Sequence, residues 1–335
     1  MATHRPLRTI LLAIAILSAE RTVAAEWREI SADLNAKEKP GYGGLTGVAT
    51  HPTTGDVYAF LSEKGLYRST DRGATWKRHG DAIKGRTEWP GSIVLAPALK
   101  SSGVDRFVIA TVYGGPIVAS NDGGATWSAM HRDSNHVDWV ATAPYDPNAK
   151  LVLALKHESG DVLLRSTDGG KSFDDDLGKD FGPACVFDDK TAVVLRGSQG
   201  KRKPHRTADA GKTFTECGDW NTRALPQWHN GKVYWLVDGA ILTTADRGAT
   251  WKHVCAIKDG RFGPVFGQEE KHMLALTSRG LVESRDVGST WSEPIVFPKG
   301  IQANSPLTWL AYDAKDDVLY VAQMGAPLFR LERGK

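Results

Sequence analysis

The chain has 335 residues, of which 41% are hydrophobic and 24% are charged, and its formal net charge is only +3. This composition is ordinary for a globular protein, and the small charge gives no indication of a nucleic-acid partner. Glycine and tryptophan are numerous, at 35 and 11 residues. Many glycines favour a turn-rich β protein over a helical one, because tight turns need positive φ angles.

The first 25 residues have the pattern of a secretory signal peptide. Arg5 and Arg8 precede the apolar run of residues 9–19, and residues 23–25 are small enough for cleavage. That run is too short for a membrane anchor, which needs roughly 20 residues. We therefore predict a cleaved signal over residues 1–25 and an exported protein, periplasmic or extracellular. Residues 26–335 would form a single domain without a membrane span, and cleavage would lower the formal net charge from +3 to +1.

Short β-like runs follow one another along the rest of the chain, rich in branched and aromatic residues with polar residues interleaved. The first unit contains LTGVATHP, DVYAFLSE, GLYRST and TWKRHG, at residues 45–52, 56–63, 65–70 and 75–80. Later units repeat it, as GSIVLAP, RFVIATVY, PIVAS and TWSAM, and then as VDWVATAP, KLVLALKH, DVLLRS and SFDDDL. No segment shows a sustained helical period. Four strands in about 43 residues is the size of a propeller blade.

One octet recurs six times, each time at the end of the third run of a unit. The copies are STDRGATW (69–76), SNDGGATW (120–127), STDGGKSF (166–173), TADAGKTF (207–214), TADRGATW (244–251) and SRDVGSTW (284–291). Their aspartates are Asp71, Asp122, Asp168, Asp209, Asp246 and Asp286. Regular spacing of such copies indicates a repeat architecture.

The two ends of the chain complete the count. PLFRLERG (residues 327–334) mirrors a third strand but has no fourth strand after it, whereas EWREIS (residues 26–31) resembles TWKRHG. The N-terminal strand would therefore close the last blade and leave no open sheet edge. We predict an all-β, seven-bladed propeller of four-stranded blades. The alternative is six blades with additional terminal segments.

The octets resemble the Asp-box, or BNR, repeat of the sialidase-like superfamily, Ser/Thr-x-Asp-x-Gly-x-Thr/Ser-Trp/Phe. The resemblance covers essentially the whole chain after residue 25. Proteins with this repeat include sialidases, xyloglucan-cleaving glycosidases, sortilin-type receptors and a photosystem assembly factor. The resemblance implies that the boxes lie between the third and fourth strands of a blade, with function on the opposite face. Because six equivalent copies do not build one asymmetric reaction centre, we assign the six box aspartates a structural role.

Two blade-connecting loops hold the strongest candidate side chains. DAIKGRTEWPG (residues 81–91) carries Arg86, Glu88 and Trp89, which suit carboxylate binding, acid/base work and sugar stacking. HRDSNHVDW (residues 131–139) carries His136 and Asp138 at the entrance to an inner strand, where both would face the axial pocket. The alternative interpretation is a solvated loop in the first case and turn capping in the second.

The loops after second strands give a further group on the same predicted face: Tyr113, Lys156, His157, Glu158 and Arg196.

From all of these loops together, we predict catalytic roles for Glu88, His136, Asp138 and Tyr113. We predict substrate-binding roles for Arg86, Trp89, Lys156, His157, Arg196, His229 and Arg261. Further polar or aromatic side chains expected there are Tyr42, Glu158, Lys201, Arg202, Lys203, His205, Trp220, Arg223, Gln302 and Asn304.

Two functions stay open at this point. The first is a secreted hydrolase or lyase that acts on an acidic or plant-type glycan; the second is a non-catalytic propeller that binds a glycan or a protein partner. The Arg-Ile-Pro motif typical of sialidases is missing. We expect no cofactor and no metal, since no Cys/His spacing typical of a metal site exists. Cys185, Cys217 and Cys255 permit one disulfide at most, and buried free thiols are the preferred interpretation.

Overall fold

The computed structural model describes residues 26–80, 83–96, 105–146, 149–174 and 177–333. The predicted signal peptide lies outside these ranges. The described residues form seven antiparallel sheets, and in six of them the strands follow chain order from the innermost strand outwards; in the seventh, an N-terminal strand takes the outermost position. The prediction of a seven-bladed β-propeller is therefore confirmed, and the six-bladed alternative is wrong.

The first three blades contain the following strands. Blade 1 has β2 Leu45–Thr50, β3 Val57–Leu61, β4 Gly65–Ser69 and β5 Lys77–Gly80; blade 2 has β6 Ile93–Ala96, β7 Arg106–Ile109, β8 Val118–Ser120 and β9 Ser128–Ala129; blade 3 has β10 Val137–Thr142, β11 Val152–Lys156 and β12 Leu163–Ser166. Among the residues that the structure describes, the fourth strand of blade 3 is represented by a single bridge between Arg165 and Asp174.

The remaining blades follow the same order. Blade 4 has β13 Phe181–Val186, β14 Ala192–Arg196, β15 Lys203–Thr207 and β16 Thr215–Glu216; blade 5 has β17 Gln227–His229, β18 Lys232–Val237, β19 Ala240–Thr244 and β20 Lys252–Ala256; blade 6 has β21 Gly260–Phe266, β22 Met273–Thr277 and β23 Gly280–Ser284; blade 7 has β24 Thr308–Asp313, β25 Val318–Gln323 and β26 Phe329–Glu332. Blade 6 likewise has one bridge, Leu281 to Ile295, in place of a fourth strand.

The N-terminal strand closes the ring, as the sequence predicts. Strand β1, Trp27–Glu29, pairs with β26 as the outermost strand of blade 7. Beyond the ladder, the indole of Trp27 donates to the carbonyl of Val296 at 3.0 Å, and the buried Ser31 hydroxyl accepts from the backbone of Leu328 at 3.0 Å. The closing strand thus covers the sheet edge that β26 would otherwise expose.

One element was not expected from the sequence, a short helix α1 at Ala32–Glu38 between β1 and β2. Seven residues are too few to show a helical period, so pattern alone does not reveal it. Tertiary contacts hold the helix: Leu34 is buried, and the Glu38 carboxylate accepts from Tyr67 Oη and Arg78 Nη2, both at 2.7 Å.

Each octet forms the turn between the third and fourth strands of its blade. In blade 2 the Asp122 carboxylate accepts from the Ser120 hydroxyl at 2.7 Å, from the backbone N–H of Thr126 at 2.8 Å and from the Thr126 hydroxyl at 2.5 Å. These hydrogen bonds lower the pKa of Asp122 to about 2, those from Thr126 most strongly. The same contacts recur at the other five aspartates.

The box glycine and tryptophan also join a blade to the one before it. A Cβ on Gly124 would lie 2.2 Å from Nε2 of His79, which belongs to the outer strand of blade 1. The indole of Trp127 donates to the backbone carbonyl of the same His79 at 3.1 Å. Gly124 has a φ of 87°, so both its backbone and its close neighbour require the absence of a side chain.

The apolar core lies between neighbouring blades. Tyr58 and Phe107, both almost fully buried, meet across blades 1 and 2 with ring centroids 5.2 Å apart. All three cysteines are free thiols, with Cys185 and Cys255 buried and Cys217 half-buried. No helix among the described residues is long and apolar enough to cross a membrane.

Candidate functional site

The meander topology places turns on alternate faces. First-to-second and third-to-fourth strand turns share one face with the octets, which we call the box face. Second-to-third turns and the connections between blades share the opposite face, which we call the top face. The top-face loops differ from blade to blade, and most of the predicted site residues lie there.

Seven top-face residues from blades 2 and 3 and the loops before them form one polar group, the blade 2–3 cluster. Its members are Arg86, Glu88, Tyr113, His136, Asp138, His157 and Glu158. Arg86 Nε lies 2.9 Å from Glu88 Oε2, and both side chains are largely buried. The guanidinium carbon of Arg86 also lies 5.2 Å from the ring centre of Tyr42 and 5.0 Å from that of Tyr113.

Asp138 and His157 form the second pair in this cluster. His157 Nδ1 lies 2.6 Å from Asp138 Oδ1. The β10–β11 register shifts between Val137 and Trp139, so Asp138 is the extra residue of a β-bulge. Burial raises the pKa of Asp138 to about 6, while the contact with His157 opposes that rise. The contact with His157 directs the Asp138 carboxylate into the cluster. Asp138 is not among the residues that line the two axial cavities described below, which differs from the predicted placement.

His136, Tyr113 and Glu158 complete the cluster on its solvent side. The three residues have φ angles of 57°, 58° and 50°, a region that few non-glycine residues adopt and that is over-represented at functional sites. The His136 ring centre is 4.5 Å from that of Tyr113 and 4.9 Å from that of His157. Burial and the neighbouring His157 lower the pKa of His136. Like Asp138, His136 is not among the residues that line the two axial cavities.

A small pocket of about 90 Å³ lies at the top-face end of the propeller axis. Trp89, Arg223, Arg261 and Asn304 contribute its polar and aromatic lining. Arg261 is the extra residue where the register of β21 shifts between Gly260 and Phe262. Within the described part of the chain, the guanidinium groups of Arg223 and Arg261 are exposed and have no ion-pair partner.

A larger cavity of about 720 Å³ continues along the axis towards the box face. Pro90, Leu225 and Phe262 line both cavities and form the apolar passage between them. His229 lines the larger cavity, which corrects its predicted position on the top face. It is the last residue of β17, beside a first-to-second strand turn, so topology places it on the box face. There its ring stacks on Phe266 with centroids 4.2 Å apart.

The other predicted residues have separate surroundings. Arg196, at the top-face end of β14, lies over the ring of Phe181 at 5.4 Å. Its neighbours therefore differ from those of Arg86 in the blade 2–3 cluster and of Arg261 in the axial pocket. Lys156 is half-buried beside His157. Sequence reasoning missed Ser92, whose hydroxyl lies 2.6 Å from the backbone carbonyl oxygen of Asp138 and 2.7 Å from that of Trp89, either of which can accept its hydrogen. A lone serine carries no pattern that would reveal this link.

Comparisons with known proteins add the fold relationship. No family model and no curated protein sequence matches the chain. Among solved structures, the GH74 enzyme of Niastella koreensis superposes with a TM-score of 0.56 at 16% identity, over 87% of this chain and 43% of that one. The GH74 xyloglucanase of Xanthomonas campestris gives 0.53 at 17% identity, over 91% and 53%.

A third solved structure is the extracellular domain of a putative one component system of B. thetaiotaomicron. It superposes with a TM-score of 0.57 at 10% identity, over 93% of this chain and 40% of that one. This chain therefore spans less than two thirds of the length of each of these three structures. At such low identities the likeness shows the propeller fold alone.

Proposed function

We propose that the protein is an exported, carbohydrate-directed propeller that binds an acidic glycan on its top face. The carrying observation is the axial pocket, where Arg223 and Arg261 are exposed without an ion-pair partner among the described residues. A guanidinium group binds a carboxylate or sulfate in a bidentate manner. Trp89 supplies an apolar ring surface beside them for the sugar.

The charge of the pocket lining supports an anionic ligand. Neither an aspartate nor a glutamate is among the residues that line it. An acidic group entering the pocket would therefore meet two positive charges without a directly competing carboxylate. Two of the structural neighbours carry glycoside-hydrolase names, one of them a xyloglucanase, which supports a carbohydrate as the ligand class.

Acid/base chemistry is the catalytic form of this proposal. Glu88 and Asp138 would act as the acid and base of a hydrolase or lyase, with His136 and Tyr113 beside them. Glu88 directly precedes Trp89 in the chain, so the cluster and the axial pocket are linked through one backbone segment.

The second candidate is a glycan-binding propeller without turnover. It is favoured by the pairing of the two carboxylates, Glu88 with Arg86 and Asp138 with His157. A glycosidase uses two carboxyl groups directed at the scissile bond from its two sides. Carboxylates engaged in internal pairs fit a scaffold that shapes a binding surface.

The binding proposal is tested on a panel of immobilised glycans that includes uronic-acid, sulfated and neutral polysaccharides. We expect selective retention on acidic members, with Arg223→Ala and Arg261→Ala each weakening binding at least tenfold. Arg28→Ala, which removes an exposed arginine from the outer strand β1, serves as the matched control and should bind like the unmodified chain. Equal retention on neutral and acidic glycans, or none at all, would contradict the proposal.

Turnover is measured separately on the glycans that bind. Release of reducing ends or of unsaturated products, abolished in Glu88→Gln and Asp138→Asn variants that still bind, would establish the catalytic form. Binding without product release would leave the non-catalytic propeller as the function.

A further inference from the structure

The side chains of His136, His157 and Glu158 meet on the outer, solvent-facing side of the blade 2–3 cluster. One ligand atom from each residue can be chosen so that all three atoms lie within 4.8 Å of one another. The backbone N–H of His157 donates to the carbonyl of His136 at 2.9 Å, which fixes the two histidines relative to each other. Two imidazoles and one carboxylate are a common donor set for zinc in proteins.

The distances suit a small tetrahedral ion. Zinc binds histidine nitrogen and carboxylate oxygen at about 2.0–2.2 Å, which makes the edge between two ligand atoms of a tetrahedron about 3.4 Å. His157 Nε2 lies 3.5 Å from Glu158 Oε1. This pair therefore needs almost no adjustment to bind one ion, and the ligand atom of His136 lies within 4.8 Å of both.

Asp138 provides the supporting contact that metal-binding histidines commonly have. Its carboxylate lies 2.6 Å from His157 Nδ1, so that nitrogen carries the hydrogen and Nε2 presents its lone pair towards Glu158. A carboxylate in this position orients the ring and raises its basicity as a ligand. Asp138 is only 9% exposed, so the contact is a buried one and not a solvent-exposed surface contact.

The local charges also permit a cation. Arg86 and Lys156 are fixed positive groups that act on His136, and the ion pair of Arg86 with Glu88 at 2.9 Å offsets the charge of the first. Tyr113 donates to the second carboxylate oxygen, Glu158 Oε2, at 3.4 Å, which leaves Oε1 on the histidine side. The Glu158 side chain is 69% exposed, so an ion can enter from solvent and keep one position open to water or to a ligand.

We propose that His136, His157 and Glu158 form a binding site for a divalent transition metal, with zinc as the preferred ion and Asp138 as its supporting carboxylate. The site goes beyond the glycan-binding proposal, since it lies outside the axial pocket and does not depend on it. Nitrogen and oxygen ligands without sulfur favour zinc, nickel or copper over the hard ions calcium and magnesium.

The experiment is a calorimetric titration of the purified, chelator-treated chain with zinc chloride. We expect one zinc ion per chain. Asp138→Asn should weaken binding by about 10- to 100-fold, and His136→Ala and Glu158→Gln should weaken it further. Cobalt(II) in place of zinc should give the visible absorption of a tetrahedral site, which Glu158→Gln removes.

Two controls separate this site from adventitious binding. His253→Ala removes an exposed histidine of β20, and Cys217→Ser removes the most accessible thiol; both should leave affinity and stoichiometry unchanged. Glu158→Gln changes an exposed side chain, so it tests the site even where His136→Ala fails to fold. Lack of zinc binding by the unmodified chain, or binding that survives Glu158→Gln, would overturn the proposal.

Discussion

The two faces of the propeller are built in opposite ways. On the box face, six turns repeat one set of hydrogen bonds around an aspartate, a serine or threonine and a glycine. On the top face, the loops differ, and a single place collects Arg86, Glu88, Asp138 and His157. The repeated contacts support the frame, whereas the unrepeated ones create a surface on which binding or chemistry has a defined location.

The two faces therefore differ in how their stabilising contacts are distributed over the blades. A box turn shares its role with five others, and the hydrogen bonds of its aspartate carboxylate are made within the turn. The blade 2–3 cluster relies on long-range pairs between separate loops, so each member depends on partners that no other blade duplicates. Three measurements test this contrast.

The largest effect is expected for Arg86→Ala. This change leaves the largely buried Glu88 carboxylate without its cation, and breaking a buried pair costs about 3 kcal/mol or more. Urea denaturation should show the loss, and adding Glu88→Gln to Arg86→Ala should recover part of it because the unpaired charge is removed. The control Arg28→Ala should stay within about 0.5 kcal/mol of the unmodified chain. A loss below about 1 kcal/mol would mean that the pair is no more important than a surface contact.

A loss of stability smaller than that of Arg86→Ala, and similar from one box to the next, is expected at equivalent box positions. Ser69→Ala, Ser120→Ala and Ser284→Ala each remove a buried hydroxyl that donates to the box aspartate and accepts from the box glycine N–H. Each should lower the free energy of unfolding by about 2 kcal/mol, since one hydrogen bond involves a charged group and a buried donor loses its partner.

The control for the serine series is Ser289→Ala, which changes an exposed hydroxyl in a box turn and should cost about 0.5 kcal/mol or less. Losses that differ among the three buried serines by more than about 1 kcal/mol would show that the boxes are not energetically equivalent.

The smallest effect is the pH dependence of a single box. Because hydrogen bonds lower the pKa of Asp122 from 3.8 to about 2, the unfolded chain binds more protons between these values than the folded chain. Its contribution to stability is therefore complete above about pH 4 and is lost as pH falls towards 2.

Asp122→Asn should flatten the pH dependence of the urea midpoint in this interval and leave the slope above pH 5 unchanged. Asp246→Asn should act in the same way, since the pKa of Asp246 is also lowered to about 2. An unchanged slope in both variants would show that the box carboxylates titrate normally in the folded protein.

Much of the architecture could be predicted from the sequence because the same strand and turn pattern recurs in successive blades. The spacing of the aspartates gives the blade size, and the similarity of residues 26–31 to an outer strand predicts the closure that β1 provides. The helix α1 escaped prediction because it is short and is held by Glu38 contacts from a distant strand.

The candidate site was predictable only as a set of loops. The sequence places Glu88, Tyr113, His136 and Asp138 on one face because the meander alternates its turns. The sequence gives no sign of the β-bulge at Asp138, which turns that carboxylate towards His157 and away from the axis. His229 was assigned to the wrong face because the end of β17, not its beginning, carries this residue.

The sequence by itself determined the seven blades and the turns that repeat, because local hydrogen bonds and strand periodicity act within a few residues. It also determined the closure, because residues 26–31 resemble the outer strand that the last blade lacks. Only the tertiary structure decided which top-face side chains meet. Arg86, Asp138 and His157 come from three separate segments, and their pairing depends on how neighbouring blades pack and where a strand bulges. Such long-range geometry leaves no periodic trace in the chain.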